Sequence, residues 1–429
     1  MSALAASLTH PTELFQLINF QFFGGKERLF PARAELENTP SMRRCDYYLC
    51  RTSRSFSAVI RALDAELRPA ISIFYLVLRG LDTVEDDMSL DKKLKHKLLT
   101  TFHEKLYDPQ WNFDGSGPNE KDRDLLVEFH VVTQEFLALD KKFQVVIADI
   151  CKRMGHGMAE FIDKTVETVD DYNLYCHYVA GLVGIGLSKL FSASGLESAE
   201  VGVDEERANS MGLFLQKTNI IRDYLEDLEE GRTWWPRQVW SLYGTKLSDF
   251  ASPDCEAGGL ACLNHLVADA LQHVPDCFVY MSRLRTQSVF NFCAIPQVMA
   301  IATLDLCYNN KQVLKRNVKI RKGTAVSLMM KATSLANVID IFVSYSKSLQ
   351  SQGVTTDPTY GKLSSTLDTI FKRAEQAKTM AAATDNLRHT RTEAQQALVL
   401  SPSVTIPVGI ALAGLAAYYY TRHTQAPKP

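Results

Sequence analysis

The chain has 429 residues, 46% of them hydrophobic and 22% charged, enough apolar side chain for one large core or two smaller ones and too much for disorder over most of its length. Lys and Arg (47) nearly balance Asp and Glu (49), so no overall field exists to hold nucleic acid, and any recognition of charge has to be local. The nine cysteines, odd in number and without a C-x-x-C pair, read as reduced thiols facing the cytosol, and the histidines lack metal-ligand spacing, which leaves carboxylates as the available metal ligands.

In chain order, residues 1–14 lack the basic start and continuous apolar run of a cleaved secretory signal. Apolar residues then recur at three- and four-residue intervals over 47–63, 70–81, 125–139, 145–161, 172–191, 208–228, 260–284 and 289–307. The pattern predicts an all-α fold, a single large helical bundle. Breaks are expected at Asp108-Pro109, Asp114-Gly115-Ser116-Gly117-Pro118, Gly231, Pro236 and Ser252-Pro253. The run 289–306 is apolar enough to suggest a membrane span. Its Asn291, Pro296, Gln297 and Asp305 fit better in a central helix beside an internal cavity.

The expected organisation is a catalytic domain over 1–352, a polar tether over 353–402, a membrane anchor over 403–421 and a short tail over 422–429. Residues 404–420 read VTIPVGIALAGLAAYYY, uncharged and closed by three tyrosines suited to a membrane interface. At 1.5 Å per residue this transmembrane helix is at the short limit for a hydrocarbon core of about 30 Å, and suits a thin membrane such as the endoplasmic reticulum.

Two acidic patterns carry the chemistry. Asp82-Thr83-Val84-Glu85-Asp86-Asp87 and Asp223-Tyr224-Leu225-Glu226-Asp227 both contain D-x-x-E-D, and each follows a long apolar helix. Positions i, i+3 and i+4 share one helical face, so three carboxylates repel there by a few tenths of a kcal/mol per pair unless a cation intervenes. Magnesium, held by one or two carboxylates together with substrate phosphates, suits two such faces across a cavity. A solvated acidic helix end is the plain alternative. Neither copy has the glycine-turned loop of an EF-hand. Arg51, Arg54, Arg79 and Arg222 stand on otherwise apolar helices, and 318–323 reads VKIRKG; guanidinium groups grip phosphate, although surface salt bridges are the plain alternative for each.

Five longer stretches are distinctive: TSRSF at 52–56, YLVLRGLDTVEDD at 75–87, YCHYVAGLVGIGLSKLFSASG at 175–195, ANSMGLFLQKTNIIRDYLEDLEEGR at 208–232 and SVFNFCAIPQVMAIATL at 288–304. On these, over about residues 40 to 335, the chain resembles the squalene synthase family. Gly80 stands where relatives often have alanine, and the match fades beyond about 335. The resemblance implies an all-α bundle around a central cavity, tail-anchored in the endoplasmic reticulum membrane with its catalytic domain in the cytosol. A monomer is expected. It implies magnesium on Asp82, Glu85, Asp86, Asp223 and Asp227, and two molecules of farnesyl diphosphate joined to presqualene diphosphate and reduced to squalene. It also implies that Arg54, Arg79, Arg222, Lys319 and Arg321 hold NADPH; the residues themselves say only that a Rossmann site is not expected, because no G-x-G-x-x-G follows a strand. Tyr175 matches the tyrosine that assists proton loss, with a packed core tyrosine as the alternative. Ser53, Phe56, Tyr75, Gln216, Asn219, Phe292 and Cys293 fall among substrate-pocket residues, where a plain core role is the alternative for Phe56, Phe292 and Cys293. Gly181, Gly184 and Gly186 are expected to permit close helix approach. Competing functions are a non-reductive phytoene or dehydrosqualene synthase, a terpene cyclase or chain-elongating prenyltransferase, and an inactive membrane-tethered scaffold.

Overall fold

The computed structural model describes residues 39–399, with Phe20 and Gly25 ahead of them. The anchor expected at 403–421 and the N-terminal segment lie outside the described residues. Helices make up the regular structure, and among the described residues there is no strand. Those that line the site or pack behind it are α1 (Pro40–Thr52), α2 (Arg54–Arg61), α3 (Arg68–Asp86), α4 (Lys92–Lys105), α5 (Lys141–Glu160), α6 (Val169–Cys176), α7 (Leu182–Ala193), α8 (Glu205–Arg222), α9 (Tyr224–Glu229), α10 (Glu256–Leu271), α11 (Val274–Ser282), α12 (Gln287–Cys307), α13 (Leu335–Gln352) and α14 (Tyr360–Val399).

Several expected helices divide for local reasons. The 47–63 run breaks at Ser53, whose extended backbone and side-chain oxygen cap α2 by accepting from the Phe56 amide at 3.2 Å. The 208–228 run breaks at Asp223, which ends α8 and opens α9. The 260–284 run breaks before Pro275, in the first turn of α11, where its missing N–H is harmless. Between α6 and α7 a five-residue π-helical turn, His177–Gly181, interrupts the α geometry.

Helix α8 lies at the centre, against α7, α10, α11 and α12. Its approach to α7 and to the π-helical turn before it is close because Gly184 and Gly212 have no Cβ. One placed on Gly184 would come within 2.3 Å of the Ala208 carbonyl, and one on Gly212 within 2.3 Å of the Ala180 carbonyl. The apolar stretches Val169–Ala193 and Gln287–Cys307 are long enough to cross a membrane, yet α12 is largely buried inside the bundle, as a central helix should be. All nine cysteines are free thiols.

The 353–402 segment corrects an expectation. Instead of a free tether, most of it is the 40-residue helix α14, packed on α10, α11 and α13. Leu363, Leu367, Ile370, Ala374, Ala377 and Ala381 are buried in a stripe with alternating four- and three-residue spacing.

Candidate active site

Two connected cavities form between α3, the α6–α7 unit, α8 and α12. The larger, about 530 Å³, is mostly apolar. Ile71, Phe191, Ala208, Phe292 and Cys293 close its floor, and Arg79, Asp82, Lys121, Gln216 and Asn219 stand at its mouth. From Ile71 to Asp82 the wall of α3 rises about 16 Å at roughly 1.5 Å per residue. The smaller cavity, about 340 Å³, is polar and includes Asp82, Glu85, Asp86, Tyr175, Asp223, Asp227, Arg232 and Trp234. Arg79, Asp82, Val179, Gln216 and Asn219 line both. Both acidic faces therefore open on one chamber, continuous with an apolar one.

The first face is the last turn of α3. Its carboxylates stand at a helix C-terminus, where the dipole is already negative. Lys95 offsets part of this by donating to the Glu85 carbonyl at 2.7 Å. Withdrawal from water, reinforced by neighbouring carboxylates, pushes Asp82 up to about 7 and Glu85 up to about 8. Asp87 plays a different part. It accepts from the Ser89 amide at 2.9 Å, the Ser89 hydroxyl at 2.5 Å and the Gly117 amide at 2.8 Å. Although burial acts in the opposite sense, these bonds hold it below the usual carboxylate range.

Across the chamber, burial pushes Asp227 up to about 7 against the pull of Arg232. Arg232 lies between the faces, donating to Asp86 at 2.6 Å and to Asp227 at 3.4 Å. Gly231, at φ +75°, reverses the chain after α9 and sends Arg232 back over it. Asp223 forms a two-pronged pair with Arg222, at 2.7 and 2.5 Å. Among the described residues no three metal-ligating groups converge on one point. The donors are divided between two walls, a set suited to hard cations that draw their remaining ligands from phosphate and water. Arg232 already occupies the gap as a cation, so the donor set fits that use.

Tyr175 is buried beside the first face, its ring stacked on Trp234 with centroids 3.8 Å apart and planes 9° from parallel. Its hydroxyl lies 3.5 Å from Glu85, and burial together with Glu85 and Asp86 pushes its pKa well above the ordinary phenol value. Arg79 is held by Asp122 at 2.5 Å and reaches Asp82 at 3.9 Å.

A model of the squalene/phytoene synthase family matches residues 49–324. The chain is 55% identical over 363 residues to the squalene synthase of Homo sapiens, covering 85% of this chain and 86% of that protein. The chain belongs to the squalene/phytoene synthase family. It is also 49% identical over 342 residues to the squalene synthase of Schizosaccharomyces pombe, covering 78% of this chain and 74% of that protein. A solved structure, TcSQS in complex with the ligand E5700, superposes with a TM-score of 0.78 at 45% identity, covering 79% of this chain and all of that one.

Most of the residues expected to form the family's site do come together. Asp82, Glu85, Asp86, Asp223, Asp227, Tyr175, Arg79, Gln216 and Asn219 line the polar chamber. Ser53, Phe56, Tyr75, Phe292 and Cys293 line the apolar one, with the Phe56 and Tyr75 rings 6.1 Å apart. Of the five cations expected to hold NADPH, Arg79 lines both cavities. Arg222 is engaged with Asp223, and Lys319 and Arg321 are exposed and line neither cavity. Their segment does reach the second acidic helix, where Asn317 donates to Glu226 at 3.0 Å. The Arg54 side chain lies outside what is described. The motif reading missed Arg232, Trp234 and Asp122; only Gly231 signalled the reversal that brings Arg232 back.

Proposed function

We propose that this protein joins two molecules of farnesyl diphosphate head to head through presqualene diphosphate and reduces the product to squalene. The observation that carries the reading is the continuity of the two chambers. A charged head group held between the acidic faces would leave its hydrocarbon chain within the apolar walls. Asp82, Glu85 and Asp86 on one wall and Asp223 and Asp227 on the other would hold magnesium, which when bound neutralises a departing diphosphate. Arg232 would then give up its place between Asp86 and Asp227 and turn to phosphate oxygen. Arg79, fixed by Asp122, presents fixed positive charge at the mouth.

The apolar walls would keep water from the allylic cation left behind, and the Phe56 and Phe292 rings, which line the same cavity, would stabilise it. The high pKa of Tyr175 keeps it a phenol. Stacking on Trp234 aims its hydroxyl, which passes the cyclopropane proton to a diphosphate oxygen. NADPH, when bound, supplies the hydride of the second half-reaction. Arg54, Arg79, Arg222, Lys319 and Arg321 are proposed to receive it, a reading supported by the Asn317–Glu226 link beside the second acidic face. Residues 404–420 are proposed as a tail anchor in the endoplasmic reticulum, with the catalytic bundle in the cytosol.

The test is incubation with farnesyl diphosphate and magnesium, with and without NADPH, followed by identification of the products. Squalene formed only with NADPH is expected. An unreduced hydrocarbon formed equally well without it would replace this reading with non-reductive coupling.

A further inference from the structure

Helix α14 places an arginine where a polar tether would place none. Arg388 is 1% exposed. Its guanidinium lies over the Phe290 ring at 4.0 Å, donates to the Leu284 carbonyl at 2.8 Å and pairs with Asp385. The Asp385 carboxylate accepts the Leu335 amide at 2.8 Å and the Ala336 amide at 3.3 Å, capping α13. One turn on, Arg391 donates at 3.0 Å to the Leu196 carbonyl, which also accepts the Thr286 hydroxyl at 2.8 Å. Residues 385–391 thus tie together the starts of α12 and α13 and the turn that follows α7.

Those helix ends hold the apolar floor. Phe290 is fully buried on α12, whereas Phe292, two residues on, lines the cavity and meets Phe191 of α7 edge-on at 6.0 Å. A leucine at 388 would fill space without the desolvation that a buried charge incurs. An arginine instead supplies three directed contacts, one each to the segment before α12, to a ring of α12 and to the residue that caps α13.

We infer that Arg388 is a positioning residue for the cavity floor, and that its contact with Phe290 sets how the bound cyclopropyl intermediate is partitioned between reduction and release. The inference rests on the function proposed above. Arg388 touches no reacting group; it acts through Phe290 and the start of α12.

The test uses the full chain in detergent with labelled farnesyl diphosphate, magnesium and NADPH, measuring presqualene diphosphate released against squalene formed. Arg388→Met is expected to raise that ratio about fivefold with KM for farnesyl diphosphate unchanged. Arg388→Lys, which keeps the charge over the ring, is expected to fall between it and the wild type. Phe290→Leu removes the same contact from the other side and should shift the ratio in the same direction, so the inference stays testable if Arg388→Met fails to fold. A wild-type ratio in the folded variants, with activity lost only in proportion to the folded fraction, would overturn it. Failure of the wild type itself to make squalene would count instead against the proposed function.

Discussion

The Arg232 guanidinium meets the Asp86 carboxylate at 2.6 Å, joining residues 146 positions apart in sequence, and spans the gap to Asp227. A cation carried by the chain thus stands between the two acidic walls. Replacing it by methionine leaves carboxylates facing one another. Arg232→Met is expected to lower the metal-free Tm by several degrees and to enlarge the rise on adding magnesium with inorganic diphosphate. Differential scanning fluorimetry checks both shifts, and an unchanged metal-free Tm would show that Arg232 contributes nothing there.

Either wall alone should be insufficient. Asp82→Asn and Asp227→Asn are each expected to reduce kcat by about 100-fold or more, with helicity preserved by circular dichroism. Full activity in either variant would remove the metal from the proposed chemistry.

The same carboxylates set a pH dependence. Asp82 and Asp227 are raised to about 7 and Glu85 to about 8, so the folded protein retains protons that the unfolded chain has already lost. Without metal, their contribution to stability falls as pH climbs from about 4 through about 8. Magnesium with diphosphate competes with those protons, so the Tm rise it produces should be larger at about pH 8.5 than at about pH 6. Equal rises at both would mean that these groups do not bind the metal.

Trp234 makes a separate prediction. If its indole serves to aim Tyr175, Trp234→Leu should lower kcat about tenfold, and adding it to Tyr175→Phe should cost little more. Additive losses would show that the stack and the hydroxyl act independently.

The helices that bear chemistry were legible because apolar periodicity and acidic spacing coincide at their ends, at Asp82–Asp86 on α3 and at Asp223 between α8 and α9. Arg232 was not, because its partner at Asp86 is remote in sequence and only the turn at Gly231 brings them together. Helix α14 was missed for another reason. Three members of its buried stripe are alanines, too small to lift a stretch rich in Lys, Arg, Glu and Gln out of an apparently polar composition. Their spacing carried the signal that composition hid.

That stripe fixes where the protein can be shortened. A chain ending at Val399 should stay folded and soluble, because it keeps all of α14. Ending near residue 370 removes the buried Ala374, Ala377, Ala381 and Arg388 and should lower the Tm by several degrees; ending at Gln352 should give aggregates, because the surface under Leu363, Leu367 and Ile370 is uncovered. Size-exclusion chromatography and thermal melts separate the three, and a monodisperse, equally stable protein from the shortest would show that α14 is dispensable.

The roughly 16 Å of α3 wall between Asp82 and Ile71, with Phe191 and Phe292 lining the same cavity, would also make the bundle a ruler. With the head group tethered at one end, a geranyl tail would stop short and leave the floor unfilled, whereas a geranylgeranyl tail would run into two aromatic rings already packed against each other. Selectivity for an intermediate length would then need no group that recognises the far end of the prenyl chain, only a wall that does not yield.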